Sequence, residues 1–100
     1  MYNLKNLDKL KTLDANAPEA MKAFWAFDKA AMAAGAIPKK YKELMALSVA
    51  FTTQCPYCIA IHAKRAREEG TSEQEIAEAV AVAAALRAGG AVTHGTHGLA

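Results

Sequence analysis

Two cysteines and a histidine, in the stretch Cys55-Pro-Tyr-Cys58-Ile-Ala-Ile-His62, are the residues of this 100-residue chain best suited to chemistry. The cysteines are the only two; they stand three positions apart, and the histidine follows the second by four. Residues three or four apart on a helix share a face. On a helix, therefore, Cys58 and His62 stack one turn apart, and Cys55 sits beside Cys58 at the helix start. The N–H groups and partial positive charge of a helix N-terminus stabilise a thiolate at Cys55. His62 can take the proton of Cys58 or hold its thiolate as an ion pair. The two sulfurs are close enough to close a disulfide with little backbone movement. A dithiol with a base one turn away is a two-electron redox device. The same three side chains are also three zinc ligands, for which His94 or His97 would supply a fourth.

The elements that must position these residues are helices. Apolar residues recur at helical spacing, and valine and threonine are scattered rather than clustered. Leu4, Leu7 and Leu10 predict a short opening helix. Asn16-Ala17-Pro18-Glu19 predicts a helix start with Asn16 as the cap, running to about Ala34 and stopping at Gly35. Met21, Phe24, Trp25, Phe27 and Met32 give this helix a broad apolar surface, suited to a core or a subunit interface. Pro38 opens a central helix that breaks near Thr53-Gln54. Pro56 suits the first turn of the next, which runs to about Glu69 with Gly70 as a left-handed cap. Ser72 and Glu75 form a capping box, and the helix after it is expected to run from Glu73 to about Arg87 and end at Gly89-Gly90. The tail after it has the pattern of a last short helix weakened by glycine. The reading is an all-α single domain over residues 1–100, a compact antiparallel bundle of about five to six helices.

A turn near residues 53 and 54 makes the two central helices antiparallel. Glu43 lies about ten residues before that turn and His62 about eight after it, so at ~1.5 Å per residue their heights differ by only a few Å. Glu43 can then reach His62, directly or through water, and orient the imidazole. The result is an acid–histidine–thiol relay.

The pattern Glu43…Cys55-Pro-Tyr-Cys58-Ile-Ala-Ile-His62 resembles the motif of alkylhydroperoxidase D-like proteins of the carboxymuconolactone decarboxylase superfamily. The glutamate falls twelve residues before the first cysteine, as it does there. The flanks "PKKYKELMALSVAFTTQ" and "AAALRAGGAVTHGTHG" are similar too, so the likeness extends from about Ala17 to the end. It implies a helical fold assembled as trimers or hexamers. It implies thiol-dependent hydroperoxide reduction without a bound cofactor, with electrons from a dithiol reductant such as a dihydrolipoyl carrier protein. By residue match, Cys58 would attack the peroxide, Cys55 would resolve the sulfenic acid, and His62 with Glu43 would relay the proton. The family's best-known peroxidases have a second histidine where this chain has Tyr57, and a phenol is a poor base at neutral pH.

Composition narrows the alternatives. Twelve basic and ten acidic residues leave the chain near neutral, which excludes a nucleic-acid partner that needs a concentrated basic face. The dense run Lys64, Arg65 and Arg67 is followed at once by Glu68 and Glu69, as on a solvated helix face. The N-terminus has no signal-peptide core, and the longest apolar run, Ala79 to Leu86, is far short of the roughly 18 residues that span a membrane. The expectation is a cytoplasmic protein with no membrane partner, and in a reducing compartment a cysteine pair points to redox, catalysis or metal rather than a passive staple. An antioxidant hydroperoxide reductase is the leading reading. A non-enzymatic or disulfide-reducing thiol relay is the second, and a zinc-stabilised structural domain the third. The alanine-rich helices, short of apolar area of their own, favour a homo-oligomer.

Overall fold

A computed structural model describes residues 2–100. These residues are all-α, with five α-helices and a 3-10 turn at each end, and no strand occurs among them. They group into two compact units, one ending at Lys39 and one running from Lys40 to Ala100.

The first unit opens with a 3-10 segment, Leu4–Lys9, whose first N–H groups are capped by Asn3: Lys5 N donates to its Oδ1 at 3.0 Å. Helix α1, Leu10–Asn16, and helix α2, Pro18–Met32, follow with only Ala17 between them. Asn16 does not cap α2 as the sequence predicts. It is the last residue of α1, and its Nδ2 turns back to donate to Thr12 O at 2.7 Å. Ala17 takes the cap position without a side-chain bond, and Pro18 occupies the first turn, where a missing N–H costs nothing. Trp25 Nε1 donates to Asp14 Oδ1 at 2.8 Å and ties α2 to α1. Helix α2 ends at Met32, ahead of Gly35, and Lys39 Nζ donates to the Met32 carbonyl at 2.9 Å.

The second unit holds α3 (Lys39–Thr53, its first residue shared with the first unit), α4 (Pro56–Glu68) and α5 (Glu73–Gly95). Helix α3 turns Glu43, Leu47 and Ala50 inward, at spacings of four and three, and all three are buried. Ala66 of α4 and Ala83 of α5 complete the buried set with Thr71. Contacts fix the directions of the helices. Glu43 meets His62 across the α3–α4 turn, so those helices are antiparallel. Lys40 pairs with Glu75 at 3.0 Å, Ser48 Oγ donates to Ala79 O at 3.2 Å, and Arg87 Nη1 donates to Thr52 O. Residue numbers rise together along these pairs, so α3 and α5 run parallel.

The connections follow local chemistry. Gly70, at φ 81°, is the left-handed stop of α4, and the closing bonds Thr71 N→Ala66 O and Gly70 N→Arg67 O are both 3.0 Å. Ser72 and Glu75 form the reciprocal box expected of them, at 3.0 and 2.9 Å. The N–H of Ser72, and then Lys40, hold the Glu75 carboxyl below its usual range. The same kind of stop ends α3: Cys55 N donates to Ala50 O at 3.1 Å, but the left-handed residue is Gln54, at φ 56°.

Helix α5 departs from expectation. It passes through Gly89 and Gly90 and ends at Gly95. Glycine stops a helix by turning left-handed, and neither of these glycines does so. Thr93 Oγ1 donates back to Gly89 O at 2.9 Å, inside the continuing helix. Its greater length bears on the membrane expectation by length and composition alone, since the unbroken apolar run stays Ala79 to Leu86. Glu73–Gly98 is long and apolar enough to cross a bilayer, with an 18-residue stretch of mean hydropathy 1.4. An unbroken apolar run missed this because Arg87 interrupts it. Both Arg87 and Glu75 are tied to α3.

A left-handed glutamine costs about 1–2 kcal/mol relative to glycine in the folded chain, and glycine returns about half of that through the unfolded state. Gln54→Gly is expected to raise stability by about 0.5–1 kcal/mol in urea denaturation. A loss of stability would show that the glutamine side chain holds the turn.

Candidate functional site

The turn between α3 and α4 places the two cysteines. Cys55 is the residue before α4, in extended conformation, and its sulfur caps the helix: Cys58 N donates to Cys55 Sγ at 3.3 Å. Serine, threonine or aspartate usually does this with oxygen. Pro56 takes the first helical position, and Ile59 N closes the first turn onto Cys55 O at 3.0 Å. Both cysteines are thiols and both are half-buried. The Cys55 thiol is held below its ordinary range, first by a hydrogen bond from the Cys58 side chain, then by the Cys58 N–H and the Tyr57 N–H, with burial working the other way. Donors converge on one sulfur, so of the two thiols it is Cys55 whose charged form they favour.

His62 lies one turn beyond Cys58 on α4. Its Nδ1 is 2.7 Å from Oε2 of Glu43, whose side chain is wholly buried, while the imidazole is 16% exposed. Paired with an ionised Glu43, which only accepts, the ring donates from Nδ1, and Nε2 is then the nitrogen left to exchange protons with a reacting group. The contact is direct, without the water the sequence left open. A buried carboxylate is expensive unless paired, and removing the partner of such a pair costs about 3–5 kcal/mol. Glu43 and His62 therefore define each other's position.

The structure brings Glu43 and His62 into contact and sets Cys55 against Cys58. Tyr57 lies between the cysteines in the first turn of α4, half-buried. His94 and His97 lie elsewhere, at the end of α5 and in the 3-10 turn after it, with ring centroids 5.5 Å apart. Among the described residues no group of three or more histidine, cysteine or acidic side chains is arranged to hold a metal ion. A groove of about 590 Å³ opens on the opposite face of α3, lined by Tyr41, Leu44, Met45, Val49, Ala79 and Val82 among others, and it contains none of the site residues.

Residues 18–99 match the carboxymuconolactone decarboxylase family. The chain belongs to that family. Among its relatives, uncharacterized protein 4 of the cox locus of Paracoccus denitrificans is 49% identical over 78 residues, which are 78% of this chain and 70% of that protein. An uncharacterized protein of Cupriavidus necator is 34% identical over 65% of this chain and 58% of its own length. Two solved structures are similar. A carboxymuconolactone decarboxylase family protein from Legionella pneumophila, in its apo form, has a TM-score of 0.77 at 30% identity, over 82% of this chain and 73% of that one. A protein from Methanobacterium thermoautotrophicum has a TM-score of 0.81 at 32% identity, over 86% of this chain and 97% of that one. The carboxymuconolactone decarboxylase fold thus accounts for the helices that carry the cysteines and the buried pair.

One contact at this site was not visible in the sequence, the bond from Arg87 to Thr52 O. It joins positions 35 apart, and the sequence marks Arg87 only as the approximate end of its helix.

The Cys58 side chain is the leading cause of the low Cys55 pKa. Cys58→Ala is therefore expected to move the alkylation midpoint of Cys55 to higher pH, toward an ordinary thiol at about 8.5, while Cys58→Ser, which keeps a donor, moves it less. Iodoacetamide labelling rates against pH measure this. Equal midpoints in wild type and Cys58→Ala would leave the helix N-terminus as the only cause.

Proposed function

We propose that this carboxymuconolactone decarboxylase family member is a thiol-dependent hydroperoxide reductase that cycles Cys55 and Cys58 between dithiol and disulfide. The observation that carries the reading is the conjunction of a sulfur-capped helix start with a carboxylate–imidazole pair whose histidine lies about two turns along that helix, its carboxylate buried on α3. Cys58 passes its thiol proton to Nε2 of His62 and, as thiolate, attacks the terminal oxygen of the hydroperoxide. The O–O bond breaks, Cys58 becomes a sulfenic acid, and the alkoxide leaves as an alcohol with a proton from His62. The Cys55 sulfur then attacks the Cys58 sulfur, the hydroxide leaves as water with the proton that the Cys55 thiol gave up, and a disulfide remains. An external dithiol, such as a dihydrolipoyl carrier protein, reopens it by exchange. The net change is hydroperoxide plus dithiol to alcohol, water and disulfide. Glu43 holds His62 in one tautomer throughout.

A second reading has its own support. The charge-stabilised sulfur is Cys55, which suits attack on a partner's disulfide rather than on peroxide. In that case the protein relays disulfides and reduces no peroxide. Either cycle needs a reducing compartment, consistent with a cytoplasmic site of action.

We further propose that the chain works as a trimer or hexamer. Phe24, Phe27, Val82 and Leu86 are 50%, 71%, 56% and 72% exposed, apolar side chains that contact between copies would take out of water. Light scattering at micromolar concentration is expected to give a multiple of 10.6 kDa. A monomeric mass would refute the assembly.

Steady-state assays with cumene hydroperoxide and dihydrolipoamide separate the two chemistries. Turnover is expected in wild type and absent in Cys58→Ser. Cys55→Ser is expected to attack once and leave a sulfenic acid on Cys58 that dimedone traps. His62→Ala is expected to slow the attack by ~10²–10⁴-fold, and Glu43→Gln by less. Tyr57→His is expected to raise the rate. Disulfide exchange without peroxide turnover would decide for the relay.

A further inference from the structure

One contact reaches the dithiol's turn from a third helix. Arg87 of α5 donates from Nη1 to the Thr52 carbonyl. Thr52 lies in the last turn of α3, where carbonyl groups have no partner within their own helix. Two residues on, Gln54 is left-handed at φ 56°, and the next N–H, of Cys55, is anchored back to Ala50 O at 3.1 Å. Thr53 and Gln54 are exposed. This short span holds a carbonyl tied by Arg87, a strained residue, an anchored N–H and the capping sulfur. The direction of that sulfur is set by the backbone angles of Gln54 and Cys55. A strained, solvent-facing turn has other conformations open to it, and each of them carries Cys55 elsewhere. A guanidinium is a strong donor, and here it closes the α3 end of the turn.

We propose that Arg87 is a positioning residue for the dithiol: its hold on the Thr52 carbonyl fixes the turn that sets the Cys55 sulfur against Cys58, and so sets how favourably the two thiols close to a disulfide. It acts through the backbone at Thr52. The inference rests on the dithiol cycle proposed above and is indifferent to whether peroxide is the oxidant. Closing the disulfide removes two electrons and two protons from the thiols. Oxidised dithiothreitol accepts them and becomes dithiothreitol, so the closure equilibrium is read as an exchange constant.

The test measures that constant, and the pH midpoint of Cys55 alkylation, in wild type, Arg87→Met and Arg87→Lys. Arg87→Met keeps the stem and loses the donor, and its exchange constant is expected to fall about 3- to 10-fold, the worth of one net hydrogen bond. Its Cys55 midpoint is expected to move to higher pH. Arg87→Lys keeps a cationic donor and is expected to recover part of both. A role confined to stability lowers the melting temperature and leaves both quantities at wild-type values in the folded protein, and that result overturns the proposal. Should Arg87→Met fail to fold, Arg87→Lys and Arg87→Gln carry the same measurements, and wild-type values in both would overturn it equally. Wild type that forms no intrachain disulfide with the dithiothreitol couple sinks both this inference and the function it rests on. Wild type that exchanges with dithiothreitol yet reduces no hydroperoxide, with the loss in Arg87→Met present, upholds Arg87 and removes only the peroxidase.

Discussion

The second unit is organised around a carboxylate with no access to water. Glu43 is fully buried and Nδ1 of His62 is 2.7 Å away. Ionised groups leave water only for a close, well-directed partner, so α3 and α4 can pack in few registers. A slip of one residue along α3 would turn Glu43 by about 100° and leave the imidazole facing a different side chain. The pair thus fixes the height of α4 beside α3, and with it the place where the chain must turn. Because Cys58 precedes His62 by one turn, the register that pairs Glu43 with His62 also sets the thiol. The geometry of the chemistry and the packing of the helices are one constraint.

Helix α3 meets that constraint with two faces of different character. Glu43, Leu47 and Ala50 lie along one side and are buried. Tyr41, Met45 and Val49, on the other, are 51%, 53% and 60% exposed along the groove shared with α5. The buried side supplies little apolar area, since two of its three residues are a carboxylate and an alanine. Alanines at Ala50, Ala66 and Ala83 let backbones approach, yet each contributes little to the hydrophobic stabilisation that offsets the charge burial. A unit built this way is short of internal burial and long on exposed apolar surface, and covering that surface in an assembly is the direct remedy.

The sequence revealed features whose physics is local or counted from a single turn. Gly70, Pro56 and the Ser72–Glu75 box act within a few residues, and their spacing is their mechanism. Glu43 and His62 are 19 positions apart, but both heights follow from one reversal, so arithmetic along two helices reached their contact. Arg87 and Thr52 are 35 apart and belong to helices joined through a third, and no periodicity carries that information. Two errors came from treating residue types as signals without their geometry. Gly89 and Gly90 are the residue type of a stop, but neither turns left-handed as a stopping glycine does. Asn16 is the residue type of a cap, but its amide bonds backward to Thr12. The converse case is Gln54, a left-handed stop in a residue that no propensity nominates.

That glutamine leads into the atom where structure and chemistry are hardest to separate. The sulfur of Cys55 is the cap of α4, doing by acceptance from Cys58 N what a serine oxygen does at Ser72 for α5. A thiolate is a strong acceptor for such a donor, and a disulfide sulfur is a weak one. The donors that favour the charged form of Cys55 work against closure, since they lose most of their acceptor on oxidation, while a turn that holds the sulfur at a fixed distance from Cys58 works for closure and is the larger effect at Arg87. Helix capping and redox poise are then two readings of the same hydrogen bonds. Whatever steadies the turn before Cys55 bears on both, since a cap that wanders neither ends its helix cleanly nor presents its sulfur at a fixed distance from Cys58. The cost of the left-handed Gln54 is small against that return: it lets the chain reverse within two residues, between the end of α3 and the start of α4, and so keeps the thiols level with the buried pair that defines the register.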